Sequence, residues 1–316
     1  MLGDTSAAIT SIQSLTANGL TWLSVERPTS AESDSLARNY GLRRADLDDA
    51  LDRAAASGVW RRDHYVLALF NAPVVGSGKQ SRPTASPVAL FAGDSFLVVV
   101  HTGEIRPLVR FFRQCETDEA TREATFDRGI AGVTQAVVQR VVDAAAASRA
   151  RVERMLESAE DAGAPESGGA AGRAAVQAMN RTRAEAHTVR RVLAPLPGVI
   201  QALPGALDVP AELTDEWDRL LQRAERVLEL LVDDLATIDA SFLSLNTIST
   251  LTQLEHLRLL VVVATLTLPL VVVLQLLALP LAGPLTGQPN GYAIAVGVAG
   301  VVFLGVLFLL RRRGLL

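Results

Sequence analysis

Two uncharged apolar runs near the carboxyl end restrict this chain more than any other feature. Residues 259 to 281 and residues 292 to 310 carry no charged side chain. As a helix, each is long enough for the roughly 30 Å of hydrocarbon in a bilayer, so the pattern predicts two transmembrane helices. Hydrophobic residues make up 49% of the 316-residue chain and pile up after residue 258, which sets a water-soluble part apart from a membrane anchor. Arg258 flanks the first run and Arg311 to Arg313 flank the second, whereas the connector "AGPLTGQPNG" (282–291) is uncharged. The positive-inside rule then places both termini in the cytoplasm and the short loop outside, as in a multi-pass inner-membrane protein in contact with the lipid bilayer. The first residues, "MLGDTSAAIT", have neither a basic region nor an apolar core, so the domain before the runs is expected to stay cytoplasmic.

The soluble part alternates strand and helix signals and then turns helical. "GLTWLSVERP" (19–28) reads as a strand, and Thr29 with Glu32 as a capping box for a helix that stops near Gly41. "RRADLDDALDRAAASG" predicts a second helix ending at Gly58. "HYVLALFNAP", "SPVALFAG" and "SFLVVVHTG" predict three strands, the first two separated by a flexible connector, "GSGKQSRPTASP". Long helices are predicted over 126–160 and 172–194, joined by a Gly/Ala/Ser-rich hairpin tip at 162–172 and followed by a Pro/Gly break through "PLPGVIQALPG". The last helix starts near Glu212, and no Gly or Pro interrupts the chain from Leu213 to Pro269. A helix of roughly 70 residues would be on the order of 100 Å long. Leu228, Leu231, Leu235, Ile238, Phe242 and Leu245 recur along it in a three-four alternation, a seam that asks for a partner helix. Beyond them Thr247, Thr250, Leu254 and Leu257 share a line that reads equally as a polar stretch near the membrane surface or as a pore mouth.

The order of these elements resembles the CorA superfamily of divalent-cation channels and transporters. The segments that carry the likeness are "TWLSVERPTSAESDSLARNYGLRRADLDDALD", "FLVVVH", "TVRRVLAPL" and "VVVATLTLPLVV", and they cover nearly the whole chain. The resemblance implies an α+β cytoplasmic domain of α/β/α sandwich type, a long stalk helix and two transmembrane helices, assembled as a funnel-shaped homopentamer. The chain divides accordingly into an α/β domain (1–120), a helical hairpin region (121–211), a stalk (212–258), a first span (259–281), an external loop (282–291), a second span (292–310) and a basic tail (311–316). In that family the first span ends in Gly-Met-Asn, or Gly-Val-Asn in the zinc branch, which forms the outer ion filter. Counting from "LPL" at 268–270 puts Ala278, Leu279 and Pro280 there, so the signature is absent.

That departure has chemical weight, because Mg²⁺ is held through oxygen ligands and a ring of Pro280 offers none from its side chain. Carbonyls freed around Ala278 to Pro280, or the carboxamide of Asn290, could still line a mouth. Carrying the line from Leu254 and Leu257 down the helix gives Leu268, Val271, Gln275 and Ala278. Gln275 therefore either forms a ring in a pore or hydrogen-bonds a neighbouring helix; both need a partner, since a lone carboxamide facing lipid is costly. In the second span Ala293, Gly297, Gly300 and Gly305 would let helices approach closely.

Little else in the sequence carries chemistry. A net charge of −4 gives no support to nucleic-acid binding, and a single cysteine, Cys115, excludes an intrachain disulfide. The four histidines lack zinc-ligand spacing, no catalytic constellation is present, and neither a cofactor nor an enzymatic activity is expected. "DLDDALD" (46–52) and "VDDLATID" (232–239) read as solvated helix faces. The family likeness adds Asp94, in the "GDSF" turn, and Asp218, on the stalk, as candidate regulatory ligands between neighbouring subunits. Two functions follow: a pentameric conduit for divalent cations of the Mg²⁺, Zn²⁺ or Co²⁺ class with an altered filter, or a non-transporting membrane scaffold or signalling protein on the same fold. On either, divalent cations enter as substrate or regulator.

Overall fold

The computed structural model describes residues 12–75, 83–103, 105–162 and 170–278, together with 297, 300, 301 and 303–305. Strands β1 (Ile12–Ala17) and β2 (Leu20–Glu26) form an antiparallel hairpin around Asn18 and Gly19, whose φ angles are 50° and 75°. Two consecutive left-handed residues give the turn whose twist matches paired strands, and Asn-Gly adopts it at little cost. Helix α1 (Ser30–Tyr40) starts on the expected capping box: the Thr29 hydroxyl accepts from the Glu32 N–H at 3.3 Å, and the Glu32 carboxylate accepts from the Thr29 N–H at 2.7 Å. It ends on Gly41 in the left-handed conformation, also as expected.

The second predicted helix is much shorter than the sequence suggests. Helix α2 covers only Arg44–Asp49, and the residues up to Gly58 are turns. There the Asp52 carboxylate accepts from the Ala54 N–H at 2.8 Å, a local bond that competes with helix propagation. Strands β3 (Gly58–Arg61), β4 (Tyr65–Val75), β5 (Pro83–Gly93) and β6 (Phe96–His101) complete a six-stranded sheet of order β1-β2-β6-β5-β4-β3, antiparallel except between β2 and β6. The expected connector after β4 is shortened, because Pro83 to Pro87 already pair with β4; residues 76–82 lie outside the described residues. β5 meets β6 only over Val88–Ala92, so Pro83 and Pro87 fall where the strand has one neighbour.

Each sheet face is covered, which makes the unit three layers deep. Leu23, Val25, Tyr65, Leu67, Leu69, Phe91, Val98 and Val100 share one core with Leu36, Leu42, Leu47 and Ala50 of the α1–α2 segment. On the alternate positions Trp22 is fully buried, its ring 5.8 and 4.8 Å from those of Phe111 and Phe112 on α3 (Arg106–Thr117). Helix α4 (Glu119–Phe126) leads into α5 (Gly129–Ala162), which packs against α6 (Ala170–Leu193) as the expected hairpin; its tip at 163–169 is outside the described residues. The segment expected as a Pro/Gly break is instead helix α7 (Leu196–Ala206). Leu196, Val199, Ile200 and Leu203 give it a buried face at helical spacing, Pro197 falls in the first turn where no N–H is needed, and Pro204 comes only as the helix ends.

Helix α8 runs from Ala211 to Ala278. The chain forms two compact units, Met1–Phe242 and Leu243–Leu316. Within the first, the line Leu213, Trp217, Leu220, Ala224, Val227, Leu231, Leu235 and Ile238 of α8 is buried; of the expected seam, Leu231, Leu235 and Ile238 find their partner in the same chain, Leu228 and Phe242 are half-buried, and the side chain of Leu245 is outside the description. Ion pairs join it in ascending order to Arg128, just before α5, and to α5 itself, Arg128 to Glu216, Asp143 to Arg223 and Arg149 to Asp234, which sets the two helices parallel. Arg183 of α6 pairs with Asp239 at 2.7 Å and Arg151 of α5 with Glu185 of α6 at 3.4 Å, closing a three-helix layer. Among the described residues no helix is long and apolar enough to cross a membrane. The first expected span reaches Ala278 within α8 and ends beyond it, and the second lies largely outside the described residues.

Candidate ion-conduction path

The carboxyl-terminal part of α8 presents apolar side chains without cover. Leu260 is 61% exposed, Val261 58%, Leu268 64% and Val271 49%. Leu268, Val271 and Gln275 lie within about 60° of one another around the helix, and Gln275 is exposed like its neighbours. Thr265 and Thr267 turn their hydroxyls back, donating to the carbonyls of Val261 at 2.6 Å and Val263 at 2.9 Å. Hydroxyls satisfied within their own helix suit an apolar setting. Gln275 is thus a strong donor and acceptor on the same side of the helix as the exposed apolar Leu268 and Val271.

Of the other candidates on this path, Thr247, Thr250, Leu254 and Leu257 are helical residues of α8, and Ala278 is its last. Leu279, Pro280 and Asn290 lie outside the described residues. Gly297, Gly300 and Gly305 are helical, and a Cβ at any of them would meet nothing within 4 Å. Asp94, in the β5–β6 turn, and Asp218, on α8, are both exposed, and neither forms an ion pair with a described residue. Among the described residues no three His, Cys, Asp or Glu side chains gather as a metal site.

The two acidic stretches are not simply solvated faces, and this corrects the sequence expectation. Asp46 is 3% exposed and accepts from Arg62 Nε at 2.9 Å, from Arg62 Nη2 at 2.8 Å and from the Tyr65 hydroxyl at 2.6 Å. Burial pushes its pKa up, but these donors and the guanidinium charge outweigh it and hold the carboxyl below its ordinary value. Burial and the bond to Asp46 raise the Tyr65 phenol. Asp234 and Asp239 likewise serve the pairs with Arg149 and Arg183. Asp48 and Asp52 remain exposed, as expected.

His101 is a core residue, 2% exposed at the end of β6. Its Nδ1 lies 2.9 Å from the Gly103 carbonyl, which can only accept, so Nδ1 carries the proton and Nε2 accepts from the Ser24 hydroxyl at 3.3 Å. Burial lowers its pKa, and the imidazole is neutral near pH 7. These groups are bonded to one another within the folded unit and hold it together. Among the described residues, one surface depression is lined by Arg219 to Glu229 of α8 and another by His187 to Ala194 at the end of α6.

Sequence reasoning missed Arg62 and Tyr65 as partners of Asp46, because the β3–β4 segment that brings them there is distant in the chain. It also missed the β1–β2 hairpin, although "NG" between two alternating stretches is a strong local signal for one.

Comparison with known proteins covers nearly the whole chain. The family described as CorA-like Mg²⁺ transporter protein matches residues 17–312. Among solved structures, the complete CorA magnesium transporter of Methanocaldococcus jannaschii is 16% identical, with 96% of this chain and 94% of that one covered at a TM-score of 0.77. The full-length CmaX protein is 17% identical, with 98% and 92% covered at 0.69. The ZntB cytoplasmic domain of Vibrio parahaemolyticus is 11% identical, with 74% and 88% covered at 0.59. No curated protein sequence matches the chain.

Proposed function

The chain belongs to the CorA-like Mg²⁺ transporter family, and from that premise we propose that it is a membrane conduit for divalent cations, assembled as a homopentamer. The observation that carries this reading is the uncovered apolar surface of α8 with Gln275 set in it. Side chains such as Leu260, Val261 and Leu268 require lipid or other copies of the chain around them, and a carboxamide among them requires a polar environment. A ring of α8 helices supplies both, with lipid outside and Gln275 inside.

In this reading residues 259–281 and 292–310 span the inner membrane, the loop 282–291 faces outward and both termini are cytoplasmic. Thr247, Thr250, Leu254, Leu257, Leu268, Val271 and Gln275 line the path. Its apolar stretch is greasy enough to close by dewetting, and the Gln275 ring is the polar step that lets water and ions through. Backbone carbonyls at Ala278 to Pro280, with Asn290 in the loop, take the place of the family's Gly-Met-Asn filter. Asp94 and Asp218 are the carboxylates available for cation sensing between subunits.

The altered filter position favours a second reading, a scaffold or signalling protein that retains the fold without transport, since Ala278-Leu279-Pro280 provides no side-chain oxygen to replace a cation's hydration shell. Purified protein in liposomes, assayed for influx of Mg²⁺, Zn²⁺, Co²⁺ and Na⁺ side by side, separates the two. A conduit gives divalent influx above empty liposomes; a scaffold gives none for any of the four.

A further inference from the structure

The outer surface of α3 carries a charge pattern that the helix itself does not need. Leu108, Phe111, Phe112 and Cys115 face inward and are buried, while Arg106, Arg110 and Arg113 stand on the opposite side, all three exposed. Their spacing of four and then three residues puts them within about 60° of one another around the helix, in a ridge on the order of 10 Å long. None of the three guanidiniums forms an ion pair or a hydrogen bond with a described residue. Arg27, also exposed, sits at the same end of the sheet: its N–H donates to the His101 carbonyl at 2.9 Å and its side chain to the Thr102 carbonyl, shortly before α3 begins. The opposite sign gathers at the far end. Glu116 stands in the last turn of α3, about a quarter-turn off the ridge, and Asp118, Glu119 and Glu123 follow, all exposed, with Asp118 capping α4. Of the other charges nearby, Glu26 is exposed beside Arg27, Arg122 pairs with Glu119, and Arg140 lies over the Phe111 ring and pairs with Asp143; Glu104 is outside the described residues. A helix is stabilised by acidic groups in its first turn and basic groups in its last. The first turn of α3 holds no acidic group and its last turn no basic one, so its own stability does not account for the arrangement.

We infer that α3 is a docking surface for an acidic helix of a partner protein, laid antiparallel along the arginine ridge with carboxylates at the same spacing. Three features select this occupant. The guanidiniums are strung along a ridge instead of converging on one point, which fits a row of single carboxylates better than one compact phosphate. The rings of Trp22, Phe111 and Phe112 are buried, so no stacking platform for bases accompanies the arginines. The acidic end of the surface would repel a polyanion that ran on past Arg113. An antiparallel helix instead sets its negative C-terminal end over the arginines and its positive N-terminal end over Glu116. The surface belongs to the unit Met1–Phe242 and is independent of conduction along the α8 line.

Fluorescence anisotropy of a labelled, alanine-based helical peptide with three glutamates at that spacing, titrated with the full-length protein in mild detergent, tests this. Binding should saturate, weaken as salt rises, and be absent for the peptide with glutamine in the same places. Arg106→Gln with Arg110→Gln and Arg113→Gln should weaken it by about tenfold, the combined effect of three exposed ion pairs. The same change at Arg181, Arg190 and Arg191 of α6, which are also exposed, should leave binding as in wild type. Because the ridge begins at the positive end of the α3 dipole, the triple α3 variant should melt no lower than wild type. No saturable binding of the acidic peptide, equal binding by the triple α3 variant, or an equal loss in the α6 variant overturns the surface. So does a triple α3 variant that melts well below wild type, since the arginines then serve the fold. Inorganic tripolyphosphate or single-stranded DNA that binds through the same arginines more tightly than the peptide overturns an acidic helix as the occupant.

Discussion

Asp46→Ala removes the most heavily bonded carboxylate of the soluble unit, and its cost can be worked from the contacts. Two hydrogen bonds from Arg62, at 2.9 and 2.8 Å, and one from Tyr65, at 2.6 Å, disappear together. Deleting one partner of a buried ion pair costs about 3–5 kcal/mol because the other charge is left without compensation. The Arg62 side chain retains 25% exposure and can turn its guanidinium to water, which places the loss near the lower end, about 3 kcal/mol. For a unit of this size about 1 kcal/mol moves the melting temperature by about 2–4 °C, so the variant should melt about 6–12 °C below wild type. Fluorescence of the buried Trp22 and Trp217 in the detergent-solubilised protein reads the transition. The sign with pH is fixed by the lowered folded pKa. Above the ordinary carboxylate value of about 4, the stabilisation is complete, and it is lost as pH falls through the folded value below that. The gap between wild type and variant should therefore be constant from about pH 8 to 5 and narrow below about 4. A shift under about 2 °C, or a gap that does not narrow in acid, would refute the assignment of Asp46 as an ionised anchor of α2.

His101 gives a second pH signature. Its folded pKa lies below the ordinary value, so stability is complete above about 6.5 and falls, by up to about 1.4 kcal/mol per pH unit, as pH drops from there towards the folded value. Thermal melts from pH 8 to 5 should show this slope in wild type and lose it in His101→Gln, and an identical slope in both would place its origin elsewhere. Topology is checked with single cysteines at Thr286 and Gly314 in a Cys115→Ser background. A membrane-impermeant thiol reagent on intact cells should label the first and spare the second, and equal labelling would contradict cytoplasmic termini.

The parts of the fold that were legible in the sequence are those decided by neighbouring residues. The α1 cap depends on Thr29 and Glu32, three positions apart, and the strands β4 to β6 on β-branched and aromatic runs that are buried on both faces. Where distant parts of the chain meet, local reading failed. The heptad seam of α8 announced a partner helix without saying which, and α5 and α6 of the same chain fill that place. The sequence 46–52 is acidic, but whether a given carboxylate is solvated depends on which strand passes beneath it, and Asp46 sits over Arg62 and Tyr65. Prolines suggested a break at 195–205, yet Pro197 and Pro204 fall near the ends of α7, where a missing N–H costs little, and the Leu196 to Leu203 face decides. On the candidate path, the sequence marked Gln275 as an anomaly in an apolar run, and its exposure on α8 agrees with a side chain that awaits a partner.

Divalent influx into liposomes by Gln275→Leu, measured against wild type at equal protein, bears most directly on whether this family member conducts through the α8 line. Leucine matches glutamine closely in volume and keeps the helix, so the oligomer mass should be unchanged while the one polar ring in the apolar stretch is lost. The account predicts influx at the level of empty liposomes for Gln275→Leu and well above it for wild type. A Gln275→Leu protein of unchanged mass that admits divalent cations as fast as wild type would contradict it.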